Sequence, residues 1–528
     1  METTNFLQGI LKISAVALIL KISLVTLIAY ILYYYYKYFT RENPLPGPFP
    51  LPFIGNIHQV LKNDTFDMSK FQAKYGDLCE FYTGSQRFIL VGNEDLIQNI
   101  MKPTVNGPFH NRINDDNEGL EEIAFNNNYD NWRFHRKFYT KVMMSTSFIK
   151  QSMIVIQNSF LEMEKYWNDI GEDTIFEFDH WMKRYFFDTM FIISTNNRAY
   201  ALANYYNKVT PNEKLSIPES VLKESNTFVE SINVVVHSLQ YFYILPRIVL
   251  YLPIIKRYTQ YLKGRVYWVR NNVNNIIKTR REEISKMPID QKLKSDILTM
   301  FLTVNTEKDI TEKIADDIHD EPMSDKDVQR NFIEIMGAGI DTSPNSMCFI
   351  VDFLENNPKA KQRMIEEIER VLGKESNSSF TFEDLSKLEY VEAVIKESSR
   401  LRCVFPLVFK TNSVPEVVGS YRWSKGNYFG VNFDGIQKQK SCWKDPEKFN
   451  PDRFMDNPES KNKVYMFGGG LRICPGRNLA MMELKATLVM LYRKYDIELL
   501  GPMKEHIGMI RTCDELKVKL RKRKNISM

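Results

Sequence analysis

The chain lacks the patterns that mark most metal and nucleotide proteins. Its six cysteines, Cys79, Cys348, Cys403, Cys442, Cys474 and Cys513, form no CxxC pair, which excludes a zinc ribbon or a redox dithiol. Cysteines scattered this way through a large chain suit a reducing compartment. The seven histidines show no HExxH or comparable spacing, so no histidine-held metal is indicated. There is no Gly-x-Gly-x-x-Gly loop to cradle a dinucleotide. A net charge of +5 on 528 residues offers no concentrated basic surface, and nucleic acid is not expected as a partner. The one basic run, 516–524, alternates Leu or Val with Lys. It reads first as a terminal strand with a solvated face and second as a membrane-surface contact. No internal repeat is found, and no linker divides the chain after residue 52.

What is present is ordinary globular composition, 44% hydrophobic and 26% charged, behind an unusual N-terminus. Residues 13–20 and 22–36 are apolar apart from Lys21, which is long enough for a spanning helix of about 20 residues. Tyr33, Tyr34, Tyr35, Tyr36 and Tyr38 are expected to form an aromatic belt at one interface, followed by Lys37 and Arg41. No small-residue cleavage site follows, which favours a retained anchor over a signal peptide. Lys21 leaves a tilted or shallow interfacial helix as the alternative. Pro44, Pro46, Pro48, Pro50 and Pro52 then forbid helix and predict a stiff, extended spacer. The expected division is an anchor over 1–42 and one large catalytic body over 43–528.

That body reads as mainly α with minor β. Ser324 and Asp327 resemble a capping box opening a long helix through Phe353. Asn357-Pro358 starts another helix, closed by Gly373. Thr381 with Asp384 is expected to cap a third, with Leu385, Leu388, Val391, Ile395 and Leu401 largely on one face. Strand signals concentrate at 88–91 and in the last twenty residues.

The decisive segment is Phe467-Gly-Gly-Gly-Leu-Arg-Ile-Cys-Pro-Gly476, a glycine-rich loop that delivers Cys474 just before a helix over 477–493. Gly468, Gly469 and Gly470 permit close backbone approaches. Such a loop can turn amide N–H groups toward a sulfur, while a helix N-terminus favours thiolate. Arg472 offers a bidentate fork to a carboxylate, and Gly476 leaves room beside a flat ligand. With Phe467, Gly470, Arg472, Cys474 and Gly476 in place, the segment resembles the haem-binding pattern Phe-x-x-Gly-x-Arg-x-Cys-x-Gly of the cytochrome P-450 family.

Three further elements resemble that family. Glu397-Ser-Ser-Arg400 corresponds to its Glu-x-x-Arg, and Arg453, in Trp443-Lys-Asp-Pro-Glu-Lys-Phe-Asn-Pro-Asp-Arg453, to the third partner that locks the core. Trp132-x-x-x-Arg136 resembles a helical pair contacting a haem propionate. Ala338-Gly339-Ile340-Asp341-Thr342-Ser343 resembles the helix over the haem, where an acid–alcohol pair relays protons and the small residues leave space for oxygen. A buried Asp–Thr pair is costly on physical grounds alone, and so a functional suspect. Pro344 should kink this helix and free the carbonyl of Ile340.

The resemblance, running from about residue 44 to the C-terminus, implies a b-type haem (heme b) held by the Cys474 thiolate. It implies a monooxygenase that uses O2 and a separate NADPH-dependent flavoprotein reductase, as in microsomal members at the endoplasmic reticulum membrane with the catalytic body in the cytosol. Lys137, Lys438 and Lys440 are candidates for the reductase-docking face. One departure is Phe409-Lys410-Thr411, where the family often places Arg or His near the propionates; Lys410 would serve as a point charge rather than a fork. Ile123, Phe125, Met336, Phe405 and Val408 are expected near a distal pocket suited to a lipophilic small-molecule substrate. Two alternatives stay open: a haem-thiolate isomerase or dehydratase that uses no oxygen, and a non-catalytic haem sensor.

Overall fold

A computed structural model describes residues 2–60, 67–102, 107–109, 111–112, 123–124, 126–144, 146–210, 215–244, 252–310, 321–375 and 379–523. Helices dominate, with small sheets beside them. Helix α1 (Glu2–Phe39) carries, at Ala15–Phe39, the one stretch among the described residues long and apolar enough to cross a membrane. Lys21 is exposed on it. The expected aromatic belt divides, because residues four apart share a helix face. Tyr30, Tyr34 and Tyr38 turn toward the body: Tyr30 stacks on Phe53 at 4.4 Å, Tyr34 is buried and donates to the Gly84 carbonyl at 3.0 Å, and Tyr38 meets Tyr82 at 5.7 Å. Tyr33 and Tyr36 remain exposed.

The proline-rich stretch is therefore no free spacer. Leu45 is buried, and the Pro46 carbonyl accepts from the Glu80 amide at 2.9 Å. Proline keeps its carbonyl acceptor while lacking a donor, so it can satisfy a sheet edge without extending the sheet. That edge is β1 (Leu78–Thr83), paired antiparallel with β2 (Gln86–Val91). More strands occur than the sequence signals suggested. β3 (Leu407–Thr411) and β4 (Tyr428–Asn432) complete a four-stranded sheet in the order β1–β2–β4–β3, with β2 and β4 parallel. Ile89, Val91, Phe429 and Val431 from this sheet are buried with Met101, Phe109 and Trp423. The basic run forms β6 (Lys517–Lys522), antiparallel to β5 (Tyr495–Leu499), with Val518 and Leu520 buried. Lys524 lies outside the described residues.

The main core surrounds three helices. After α2 (Tyr129–Met144) and α3 (Phe178–Thr195) comes the long α4 (Asp325–Glu355). Its capping box at Ser324 and Asp327 is formed, and Asp325 and Asp327 oppose the positive helix end. Val328, Phe332, Met336 and Ile340 recur at helical spacing and are buried. α5 (Pro358–Leu372) starts on its proline and stops at Gly373, whose φ is 80°.

The third helix expected from the sequence is in fact two, α6 (Phe382–Ser386) and α7 (Glu389–Leu401). The Glu367 carboxylate, buried on α5, accepts from the Tyr390 and Val391 amides at 2.9 Å. That outside cap starts a new helix where the side-chain pattern alone reads as continuous. α8 (Arg477–Lys494) ends the helical core.

Candidate active site

The loop before α8 is folded by its own backbone. The Cys474 amide donates to the Phe467 carbonyl at 3.0 Å, and Ile473 to Gly470 at 3.2 Å. Gly468 and Gly470 have φ of 71° and 69°, values that side-chain-bearing residues rarely adopt. A Cβ at Gly470 would also lie 2.6 Å from the Met101 carbonyl oxygen. The loop thus places Cys474 two residues before Gly476, the N-cap of α8. Burial pushes the Cys474 thiol up; the Gly476 backbone N–H and the charges of Arg136, Arg477 and Arg112 act against this. In such surroundings a cation bound at the sulfur tips the balance to thiolate.

Cations converge beside the loop. Arg136, on α2, donates to the Ile473 carbonyl at 2.5 Å, and burial together with Arg477 and Arg112 lowers it to about 10 despite the Cys474 thiol. It therefore reaches the cysteine loop itself. Arg472 is buried over the Trp132 ring at 4.3 Å and donates to the carbonyls of Ile123, at 3.1 Å, and Asn126, at 2.5 Å. Burial, then Arg112 and Arg136, brings Arg472 down to about 9. Lys410, on β3, is buried with no hydrogen-bond or ion-pair partner among the described residues. Burial, then Arg112 and Arg472, lowers it to about 7.

The Trp132 indole N–H is likewise buried without an acceptor among the described residues. Buried donors and cations of this kind call for an anionic acceptor. A flat iron porphyrin with carboxylate arms fits this donor set, with a sulfur for the metal and a cationic cradle for the acid groups. Arg112, which carries no motif around it, was missed in the sequence and joins the cluster by tertiary folding alone, donating to the Arg472 carbonyl at 3.4 Å.

On α4 the hexapeptide divides between two faces. Ala338 is exposed, and its carbonyl accepts from Thr342 Oγ1 at 2.8 Å. Asp341 is buried. Gly339, expected to leave space for oxygen, instead faces α3, where a Cβ would come within 2.9 Å of Met190 Cγ. Its small size serves helix packing. Pro344 sits inside α4 without ending it. Asn345 Nδ2 donates to the Asp341 carbonyl at 2.6 Å and Ser346 Oγ to that of Thr342 at 2.8 Å, so side chains bond to carbonyls around the proline. Ser343 donates to Glu483 of α8 at 3.3 Å, and burial raises that carboxyl to about 8.

Of the expected pocket residues, Ile123 and Met336 are buried, Val408 is half-buried and Phe405 is exposed. Phe125 lies outside the described residues. Lys438 is paired with Asp434 at 3.0 Å, while Lys440 is exposed.

Behind the loop, Glu397 and Arg400 are fully buried in a two-pronged pair at 2.8 and 2.9 Å. Arg453 Nε and the Asn450 amide donate to Glu397 Oε1 at 3.0 and 2.9 Å, and Arg400 also donates to the Gln437 carbonyl at 2.7 Å. Every strong donor and acceptor of the pair is matched, the condition under which a buried ion pair holds a fold together.

Comparison with known proteins agrees with this arrangement. The family model for cytochrome P450 matches residues 45–518. The chain is 24% identical to cytochrome P450 71B14 of Arabidopsis thaliana, over 87% of its own length and 88% of the relative's. It is also 24% identical to a cytochrome P450 of Caenorhabditis elegans, over 91% and 94%. It shares 30% identity with the mitochondrial 1,25-dihydroxyvitamin D(3) 24-hydroxylase of Rattus norvegicus over a shorter stretch, 40% of this chain and 41% of the relative. With a half-buried cysteine presented by a glycine loop beside a cationic cradle, and a family match over nearly the whole chain, the protein belongs to the cytochrome P450 family of haem-thiolate monooxygenases.

Proposed function

We propose that the chain inserts one atom of O2 into a lipophilic small molecule, using a b-type haem held by Cys474. The observation that carries this is Cys474 itself, half-buried just before the N-terminus of α8 beside Arg136 and Arg477. When bound, the haem would supply dioxygen activation, and the Cys474 sulfur would make it more reactive by donating electron density. The chain's own residues do the rest. Cys474 offers the sulfur, and the Gly476 N–H tempers its charge. Trp132, Arg472, Arg112 and Lys410 hold carboxylates, while Arg136 fastens α2 to the loop through the Ile473 carbonyl. Asp341 and Thr342 move protons, with the Thr342 hydroxyl resting on the Ala338 carbonyl. Glu397, Arg400 and Arg453 keep the loop's support rigid.

Members of the family generally work with a redox partner and lipophilic substrates, and the 24-hydroxylase relative is named for 1,25-dihydroxyvitamin D(3). A separate NADPH-dependent flavoprotein reductase fits a chain that carries no dinucleotide loop. Residues 1–42 would hold the catalytic body, 43–528, on the cytosolic face of the endoplasmic reticulum. The test is turnover with reductase in lipid vesicles. Thr342→Ala should lower product per NADPH consumed, since losing a proton-transfer group costs roughly 100-fold or more in the rate of that step. Unchanged product yield per NADPH would remove Thr342 from the proton path.

A further inference from the structure

Three helices meet around a cavity of about 330 Å³, a size that suits a small organic molecule. They are α3, the helix Glu219–Ile244 and the helix Pro253–Lys286. Each turns one face inward, because residues three and four apart line up on a helix. α3 contributes Phe187 and Phe191, and the second helix contributes Val221, Ser225 and Phe228. The third contributes Asn272 and Ile276. None of these residues lines the cavity beside Gly470 and Arg472.

One end of the cavity is aromatic. The rings of Phe187, Phe191 and Phe228 pack against one another, with centroids 6.1, 5.9 and 6.0 Å apart. Phe187 and Phe228 are buried, while Phe191 is half-buried. Such ring faces carry partial negative charge. The other end offers acceptors. Glu224 lines the cavity, is exposed and forms no ion pair among the described residues. Asn272 donates Nδ2 to the Trp268 carbonyl at 2.9 Å, and its Oδ1 receives no bond from a described residue. Ser225 is 6% exposed, and its hydroxyl has no partner among the described residues. A buried polar group in that state calls for one.

The cations at this site are already committed. Arg280 is buried and donates to Asp296 and Thr299 at 2.6 Å, to the Thr195 carbonyl at 2.5 Å and to Glu283 at 3.1 Å. Arg198 is paired with Glu162 and lies over the Tyr200 ring. An incoming anion would therefore face Glu224 with no guanidinium to receive it.

We propose that this cavity is a second ligand site, which takes an organic monocation with a flat aromatic body and N–H donors, an aryl amidinium or arylalkyl ammonium. The body lies against the three phenylalanine rings. The cationic head lies over Phe191, where the ring face attracts it, and donates to Glu224 and Asn272 Oδ1.

The experiment titrates the purified full-length protein by calorimetry with benzamidine, cationic at neutral pH, and with its neutral and anionic counterparts benzamide and benzoate. The haem absorption is followed in parallel. Benzamidine should bind saturably at one site without shifting that absorption, benzamide more weakly, and benzoate not at all. Glu224→Gln should weaken benzamidine about threefold to fivefold, the scale of an exposed ion pair, and leave benzamide unchanged. Phe191→Leu should weaken benzamidine roughly fivefold or more as the cation loses its ring. Glu224 is exposed and packs against no core, so its variant folds as wild type and keeps the test decisive. The proposal is wrong if benzamidine shows no saturable binding, or if benzoate binds as well. It is also wrong if E224Q leaves benzamidine affinity unchanged, or if the haem absorption shifts in step with the heat, since the ligand then sits at the haem.

Discussion

Glu397 shows what one buried residue holds. It takes donors from Arg400, Arg453 and the Asn450 amide, with no water-exposed surface of its own. Glu397→Ala would leave two guanidiniums without their shared acceptor, and truncating one partner of a buried pair costs about 3–5 kcal/mol. Urea unfolding should show a loss of unfolding free energy of that size. A loss under about 1 kcal/mol, the value of an exposed pair, would place the cluster outside the cooperative core. At this scale the sequence was half informative. The three-residue spacing of Glu397 and Arg400 was visible, and Arg453 followed from the family order. The Gln437 carbonyl and Asn450 amide that complete the cage belong to irregular backbone, which has no side-chain signature. Lys410 stood out as a departure, but its isolation depends on Arg112, which folding alone brings near.

At the scale of elements, caps and proline starts were legible because they act within four residues. Contacts between elements were not. The break between α6 and α7 is made by Glu367 on α5, which no periodicity along the helix itself can report. Gly339 is the same case. Its sequence context suggested room for a ligand, whereas its bare face meets Met190 of α3. Gly339→Ala gains about 1 kcal/mol in helix propensity but overpacks a tight contact, at about 1–3 kcal/mol. The net effect in wild type should be a loss of stability. In a Met190→Ala background the same substitution should become stabilising by about 1 kcal/mol, since the obstructing side chain is gone. Thermal melts of the four proteins decide this, and equal effects in both backgrounds would separate Gly339 from α3.

For the whole molecule, the sequence suggested two parts joined by a stiff spacer. The structure instead packs the last turns of α1 onto the body through Tyr30, Tyr34 and Tyr38, with Arg41 over the Tyr38 ring at 4.0 Å and paired with Glu80 at 2.7 Å. The apolar helix thus leaves the body from a fixed aromatic socket, a relation composition cannot reveal, because tyrosines in a belt and tyrosines in a socket look alike along the chain. The account as a whole turns on Cys474. The most direct measurement is the carbon monoxide difference spectrum of the reduced full-length protein, wild type against Cys474→Ser. A red-shifted, thiolate-type band in wild type that is lost in the variant is the predicted result. A band indifferent to the substitution, or no haem in the wild-type protein, would contradict it.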